Sequence, residues 1–339
     1  MLAKPYRIDL LDVWSKSGAI KEWKTLVASE PFAWFQSPEW VLPWWSGNHK
    51  HKEPFVIGVF ADTQLIAIAP WFVSDGIIRC MGDPLNDLNY LPIQPGYDDS
   101  QVLRSILRGI KPILPHGANK LVLDCWPKHI HWDSFEYCRL EEESTTISPV
   151  LHLSEARGTY FEQLSTQRRH RLAQCIRRFE RNMPGAELEL PTDPLRIREL
   201  ALEMLRLREQ SLTPRGLELD CEPLSRATFF QGLLSDLIRN DRTTPNIVIA
   251  ALKVGSEVLA GGLYFSWNRS ILKYMQGWNM KYRTLSLGTV LDVFTIDHFA
   301  RNGLHSVEFG RGDERYKSWL GAEPGMLFNY VVHLQGPLG

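Results

Sequence analysis

The segment Arg283-Thr284-Leu285-Ser286-Leu287-Gly288-Thr289 stands between a strand-like run and a helix-like one, and its residue types suit phosphate binding. A helix N-terminus leaves several backbone N–H groups unpaired and carries a partial positive charge. Small residues in front of such an end let those groups close on a pyrophosphate. Arg283 adds a full charge at the mouth. Gly288 permits close backbone approach where a side chain would collide, and Ser286, Leu287 and Thr289 complete the expected cradle. The plain alternative is a helix start beside an exposed arginine.

A second stretch, Phe309-Gly310-Arg311-Gly312-Asp313-Glu314-Arg315-Tyr316-Lys317-Ser318-Trp319, gathers carboxylates, a phenol and an ammonium into one short segment. Such groups can take and give protons in a group transfer. Each also has a plainer reading. Asp313 suits an N-cap, Tyr316 and Trp319 lie one turn apart as a core stripe would, and Lys317 suits a solvated charge.

The elements around these stretches read clearly in the second half. Thr159 and Glu162 have capping-box spacing and open a helix expected to run to about Met183, with Leu172, Ile176, Phe179 and Met183 as its apolar stripe. Glu187–Leu190 alternates as a strand does. Asp193–Pro194 starts a helix to about Leu212, and Pro223 starts another to about Asn240. Strands follow at Ile247–Val254, Glu257–Trp267 and Ser270–Trp278, with turns at Gly255–Ser256 and Asn268–Arg269. Helix Gly288–Asn302, strand Ser306–Phe309, a short helix at Asp313–Trp319 and strand Met326–Leu334 complete the order β-α-α-β-β-β-α-β-α-β.

The first half repeats much of that order without residue identity. Helices near Ile20–Ala28 and Ser37–Trp45 precede strands at Phe55–Phe60, Leu65–Val73 and Gly76–Met81. Helix Ser100–Gly109 and strand Leu121–Cys125 follow. The acidic, Ser/Thr-rich Glu141–Ser148 marks the boundary, so the domains are expected at 1–145 and 150–339. Between Met81 and Ser100 nothing corresponds to Arg283–Gly288, and the first half is expected to lack a cofactor motif and to wall an acceptor cleft between the halves.

Placed in this order, Arg283–Gly288 resembles the R/Q-x-x-G-x-G/A loop with which GNAT-superfamily acyltransferases bind the pyrophosphate of coenzyme A. Arg283 falls on the first position and Gly288 on the last glycine, with Ser286 replacing the middle one. The stretch Phe309–Trp319 is similar to the D-F-x-x-G-D-E-x-Y-K-x-x-W run of the acetyltransferases associated with bacterial cellulose and exopolysaccharide biosynthesis. Glu308 replaces its Asp, and Trp319 comes one residue early. The resemblance covers roughly residues 155–335, and Phe35–Trp40 fits the family's start.

The resemblance implies an α/β (α+β) tandem GNAT-like fold, with mixed central sheets flanked by helices. It implies acetyl-CoA or another acyl-CoA as co-substrate, no metal, and transfer to an amine or hydroxyl of a small or glycan acceptor. Tyr316 is the expected acid, and Asp313 and Glu314 are expected to serve as base or to hold a substrate ammonium. Backbone N–H groups near Gln276–Trp278 would polarise the carbonyl. Arg311, Lys317 and Trp319 are expected on the acceptor side. Related Fem-type tandem-GNAT peptidyltransferases, which use aminoacyl-tRNA, supply an alternative, and a catalytically silent partner of a polysaccharide synthase is another.

Composition narrows the field. The 339 residues are 44% hydrophobic and 23% charged with a net charge of −1, so no overall basic field points to DNA. No run reaches the roughly 18 apolar residues of a membrane span, and Lys4, Arg7, Asp9 and Asp12 spoil a signal peptide, which together predict a cytoplasmic protein. Cys80, Cys125, Cys138, Cys175 and Cys221 form no C-x-x-C pair and read as free thiols. His49/His51 and His129/His131 have strand spacing but no third ligand. The arginines of Arg168–Arg181 read first as a solvated face, and more sharply as a wall for an anionic substrate. The 12 Trp and 10 Tyr suit either large cores or sugar-like ligands.

Overall fold

The computed structural model describes residues 6–14, 17–29, 31–154, 159–212, 230, 232–233 and 246–334. Apart from 230, 232 and 233, the helix expected over Pro223–Asn240 lies outside them, as does Cys221. The chain forms two compact units, Met1–Thr146 with Asp220–Thr244 and Met326–Gly339, and Ile147–Leu219 with Pro245–Gly325.

In the first unit the order is β1 (Arg7–Leu10), α1 (Ser17–Ser29), α2 (Pro38–Asn48), β2 (Glu53–Ala61), β3 (Gln64–Ser74), β4 (Ile77–Cys80), α3 (Asp99–Gly109), β5 (Lys120–Trp126) and β6 (Cys138–Ile147). In the second it is β7 (Val150–His152), α4 (Tyr160–Gln163), α5 (Thr166–Asn182), β8 (Glu187–Glu189), α6 (Pro194–Leu212), β9 (Asn246–Val254), β10 (Glu257–Trp267), β11 (Ser270–Trp278), α7 (Leu287–Arg301), β12 (Ser306–Glu308) and α8 (Arg315–Trp319). The last strand, β13 (Met326–Leu334), was read as the end of the second half. It hydrogen-bonds in the first unit's sheet, whose order is β1-β2-β3-β4-β5-β13-β6, while the second sheet runs β7-β12-β11-β10-β9-β8. The units divide within the expected boundary Glu141–Ser148, between Thr146 and Ile147, although most of that segment is strand β6.

Local signals account for most boundaries. Ser37 caps α2 by accepting from the Trp40 N–H, with Pro38 at the first position. Asn268 and Arg269 both take positive φ, the left-handed pair that a two-residue hairpin needs between β10 and β11. The Thr159–Glu162 capping box forms, yet its helix lasts one turn. Leu164 is extended and Ser165 caps a new helix by accepting from the Arg168 N–H, so the single helix expected to Met183 is two, α4 and α5.

The tryptophans are explained by packing. Trp23, Trp34, Trp40, Trp44 and Trp71 are all fully buried in the first unit. Each such side chain contributes about 2–3 kcal/mol or more of apolar transfer energy. In the second unit Leu172 and Phe179 of α5 pack with Val290, Leu291 and Val293 of α7 and with Ile271 and Val307 of the sheet. Among the described residues no helix is long and apolar enough to cross a membrane.

Candidate active site

Strand β11 pairs with β10 along its whole length but with β12, in parallel, only over Ser270–Leu272. Leu272 faces Glu308 on the last shared rung, and from Lys273 onward the two strands part. A bulge sharpens the break: Leu263 faces Met275 while Tyr264 faces Lys273, so β11 carries one extra residue. Side chains alternate along a strand, and Lys273 and Gln276, three positions apart, would ordinarily point to opposite faces. The extra residue puts both on the face covered by α7.

There they meet Asp292. Its carboxylate accepts from Lys273 Nζ at 2.6 Å, from the Tyr264 hydroxyl at 3.0 Å and from Gln276 Nε2. Only 1% of Asp292 and 7% of Lys273 is exposed. Burial pushes the Asp292 carboxyl up and the Lys273 ammonium down, and their mutual attraction opposes both shifts. Gln276 Nε2 also reaches the Gly288 carbonyl at 3.4 Å, tying the cluster to the first turn of α7. Lys273 Nζ stands 4.2 Å from the centre of the Tyr316 ring and so orients the phenol on α8.

The expected phosphate cradle falls at the start of α7. Ser286 is left-handed (φ 54°, ψ 41°), makes no side-chain cap, and the first turn holds no carboxylate. In front of it opens a cavity of about 480 Å³, lined by Leu285, Ser286, Arg171, Arg177, Arg178 and Arg181 among others. Positive side chains and a helix dipole thus converge on one space. Arg283 is exposed in the 3-10 turn Met280–Leu285, outside that lining. Leu287 is core, and Thr289 is half-buried. A Cβ on Gly288 would sit 3.0 Å from Gln276 Oε1 and 3.7 Å from the Trp278 ring, so this glycine lets α7 lie against β11.

The Phe309–Trp319 stretch is organised around Lys317. Far from a solvated charge, it is 2% exposed, and its ammonium donates to the carbonyls of Gly310 (3.3 Å), Arg311 (2.6 Å) and Gly312 (3.0 Å). Glu314 closes the shell at 2.8 Å. Gly310 and Gly312 take positive φ, which lets three carbonyls turn toward one cation. Glu314, not Asp313, occupies the N-cap of α8, and both carboxylates are on exposed residues. The Arg171 guanidinium lies 4.6 Å over the Trp319 ring, which joins the arginine wall to α8.

Glu308 was passed over in the sequence as a replacement for Asp. Burial pushes its carboxyl up to about 7. The buried Lys273–Asp292 pair is not legible in the sequence, because neither residue belongs to a motif and they come together only when α7 packs on β11.

The first unit has its own parallel pair, β4 and β5, joined only at Ile77–Lys120 and Ile78–Leu121. Its gap is filled by the chain itself. Asn86 Nδ2 donates to the Met81 carbonyl at 2.9 Å, and Asn89 donates to the carbonyls of Asp124 at 2.9 Å and Cys125 at 3.0 Å. Helix α3, the counterpart of α7, is capped by Asp98 and begins with Asp99, so carboxylates hold the end where an anion would sit. His129 and His131 meet edge to face at 4.8 Å, and His129 pairs with Glu143.

Residues 166–318 match the family model described as Acetyltransferase (GNAT) domain. The fold is tandem GNAT-like. FemX has a similar structure, with a TM-score of 0.61 at 10% identity over 92% of this chain and 96% of that one. So does the C-terminal domain of a putative lysylphosphatidylglycerol synthetase from Agrobacterium fabrum, with a TM-score of 0.59 at 10% identity over 94% and 93%. A conserved protein of unknown function from Bacteroides thetaiotaomicron gives 0.57 at 13% over 97% and 100%. At these identities the likeness concerns the fold alone. No curated protein matches the sequence. In GNAT-like terms, β11 and β12 are the parted pair and α7 the helix that joins them.

Proposed function

We propose that the second unit is an acyl-CoA-dependent acyltransferase that acylates an amine or hydroxyl of a small, sugar-like acceptor. The observation that carries this reading is the uncapped start of α7 opening into an arginine-lined cavity beside the parted strands. A bound acyl-CoA supplies an activated thioester. The N–H groups of α7, with Arg177, Arg178 and Arg181, bind its phosphates. The edge of β11 beyond Leu272, where β12 has parted from it, supplies backbone N–H groups to the carbonyl oxygen as it gains charge. Tyr316, held under Lys273, gives a proton to the leaving thiolate.

The acceptor, its sugar-like character, a link to exopolysaccharide biosynthesis and a cytoplasmic setting belong to this proposal. So does a first unit without a donor site, which the filled β4–β5 gap supports. Arg311 and Trp319 flank the Lys317 clamp and are assigned to the acceptor side. Lys317 itself serves the loop that carries them, because carbonyls and Glu314 surround its ammonium.

One observation favours a second donor. The arginines continue along α5 from Arg169 to Arg181, a length suited to an RNA backbone as in aminoacyl-tRNA. Isothermal calorimetry separates the two. Micromolar acetyl-CoA binding supports the proposal. No binding at millimolar acetyl-CoA, with tight and salt-sensitive binding of an aminoacyl-tRNA, refutes it.

A further inference from the structure

The two faces of the second sheet meet the parting of β11 and β12 with different groups. Val307 and Phe309 belong to the core beneath α7, as do their rung neighbours Ile271 and Leu151. Alternation therefore turns Glu308 to the opposite face, together with Leu272 and Val150. Tyr316 packs against the α7-side core. Glu308 and Tyr316 thus approach the same gap from opposite sides. Helix α6, which covers the Glu308 face at β9, β10 and β11, lies against Gly277: a Cβ there would meet the Met204 carbonyl at 2.3 Å.

We propose that Glu308 is the general base of the transfer, acting from the face opposite the acid Tyr316. This rests on the acyl-transfer reading of the same gap. Its carboxylate takes the proton of the acceptor N–H or O–H while the nucleophile's new bond to the thioester carbon forms. The tetrahedral intermediate then collapses, the C–S bond breaks, and the thiolate takes the Tyr316 proton. Glu308 returns its proton and Tyr316 regains one through water, so the net products are acylated acceptor and free thiol.

The environment suits that role. Its rung neighbours Leu272 and Val150 are apolar, and the nearby charges Lys273 and Asp292 are engaged with each other on the far face. Burial is the cause of the raised carboxyl. A base whose pKa lies near neutrality combines availability with proton affinity. Asp313 and Glu314, the carboxylates expected in this role, are exposed, and Glu314 is spent on Lys317.

The test measures acetyl-CoA binding by calorimetry and thiol release from acetyl-CoA, with glucosamine or water alone as acceptor. Wild-type protein should bind acetyl-CoA and release thiol above the uncatalysed rate, with a profile rising through about pH 7. Glu308→Gln should bind equally and release thiol about 100-fold more slowly, with the rise abolished. Glu308→Asp, which keeps the carboxylate, should recover part of the rate. Equal rates in Glu308→Gln, or no release above background from a wild type that binds, overturn the assignment. Absence of binding by wild type overturns the donor reading, and this assignment with it.

Discussion

Lys273 Nζ and Asp292 Oδ2 stand 2.6 Å apart in the core of the second unit, and their pairing joins strand β11 to helix α7. Two buried charges of opposite sign are costly to separate, because each is left away from water with its charge uncompensated. Lys273→Met should therefore destabilise the protein by about 3–5 kcal/mol, read as a fall in Tm. Replacing both, as Lys273→Met with Asp292→Leu, should cost less than either single change. Additive losses in that cycle would remove the pair as a coupled unit.

The arginine wall makes a different prediction. Arg178→Ala and Arg181→Ala should each weaken acetyl-CoA binding about 3- to 10-fold without changing Tm, and the loss should shrink at high salt. Arg283→Ala should weaken it less, since Arg283 lies outside the cavity lining. A larger loss at Arg283 than at both wall positions would move the phosphate site to the 3-10 turn.

Tyr316→Phe should lower turnover with acetyl-CoA by about 10-fold or more while leaving its Kd unchanged, as loss of a proton donor does. Unchanged turnover would take Tyr316 out of the reaction and leave it as a packing partner of Lys273.

Stability should depend on Glu308 in a defined direction. Its folded pKa is raised to about 7, so the folded protein holds a proton that the unfolded chain gives up near the ordinary carboxylate value. Stability therefore falls as pH rises between those two values, by up to about 3 kcal/mol. Glu308→Gln should raise Tm more at pH 8 than at pH 4. A pH-independent effect would contradict the burial of this carboxyl.

Gly277 sits where α6 crosses the sheet. A Cβ would lie 2.3 Å from both the Arg208 N–H nitrogen and the Met204 carbonyl oxygen, which are backbone atoms. Gly277→Ala should cost about 2 kcal/mol or more of stability, measurable by urea unfolding.

Much of this was legible in the sequence because it is local. Turn residues at Asn268–Arg269, the Ser37–Pro38 cap and the period of β9–β11 are written in adjacent positions, and the elements formed where they were expected. The α7 start could likewise be read from Ser286 to Thr289. What depends on packing could not. Gln276 joins the Lys273–Asp292 pair only through an extra residue at one point of β11, and burial of Lys317 needs three carbonyls supplied by a loop. A lysine between Tyr and Ser looks solvated until that loop is folded round it. Nor does any local pattern tell β13 which sheet to join, since its partner β5 lies about 200 residues earlier in the chain.

That strand also sets an order of events. Its neighbours in the sheet, β5 and β6, are synthesised before the second unit, whereas the strand between them follows it. On the ribosome the early half must wait with a gap in its sheet while the later half emerges and folds. Maturation of the first unit is thereby coupled to completion of the second.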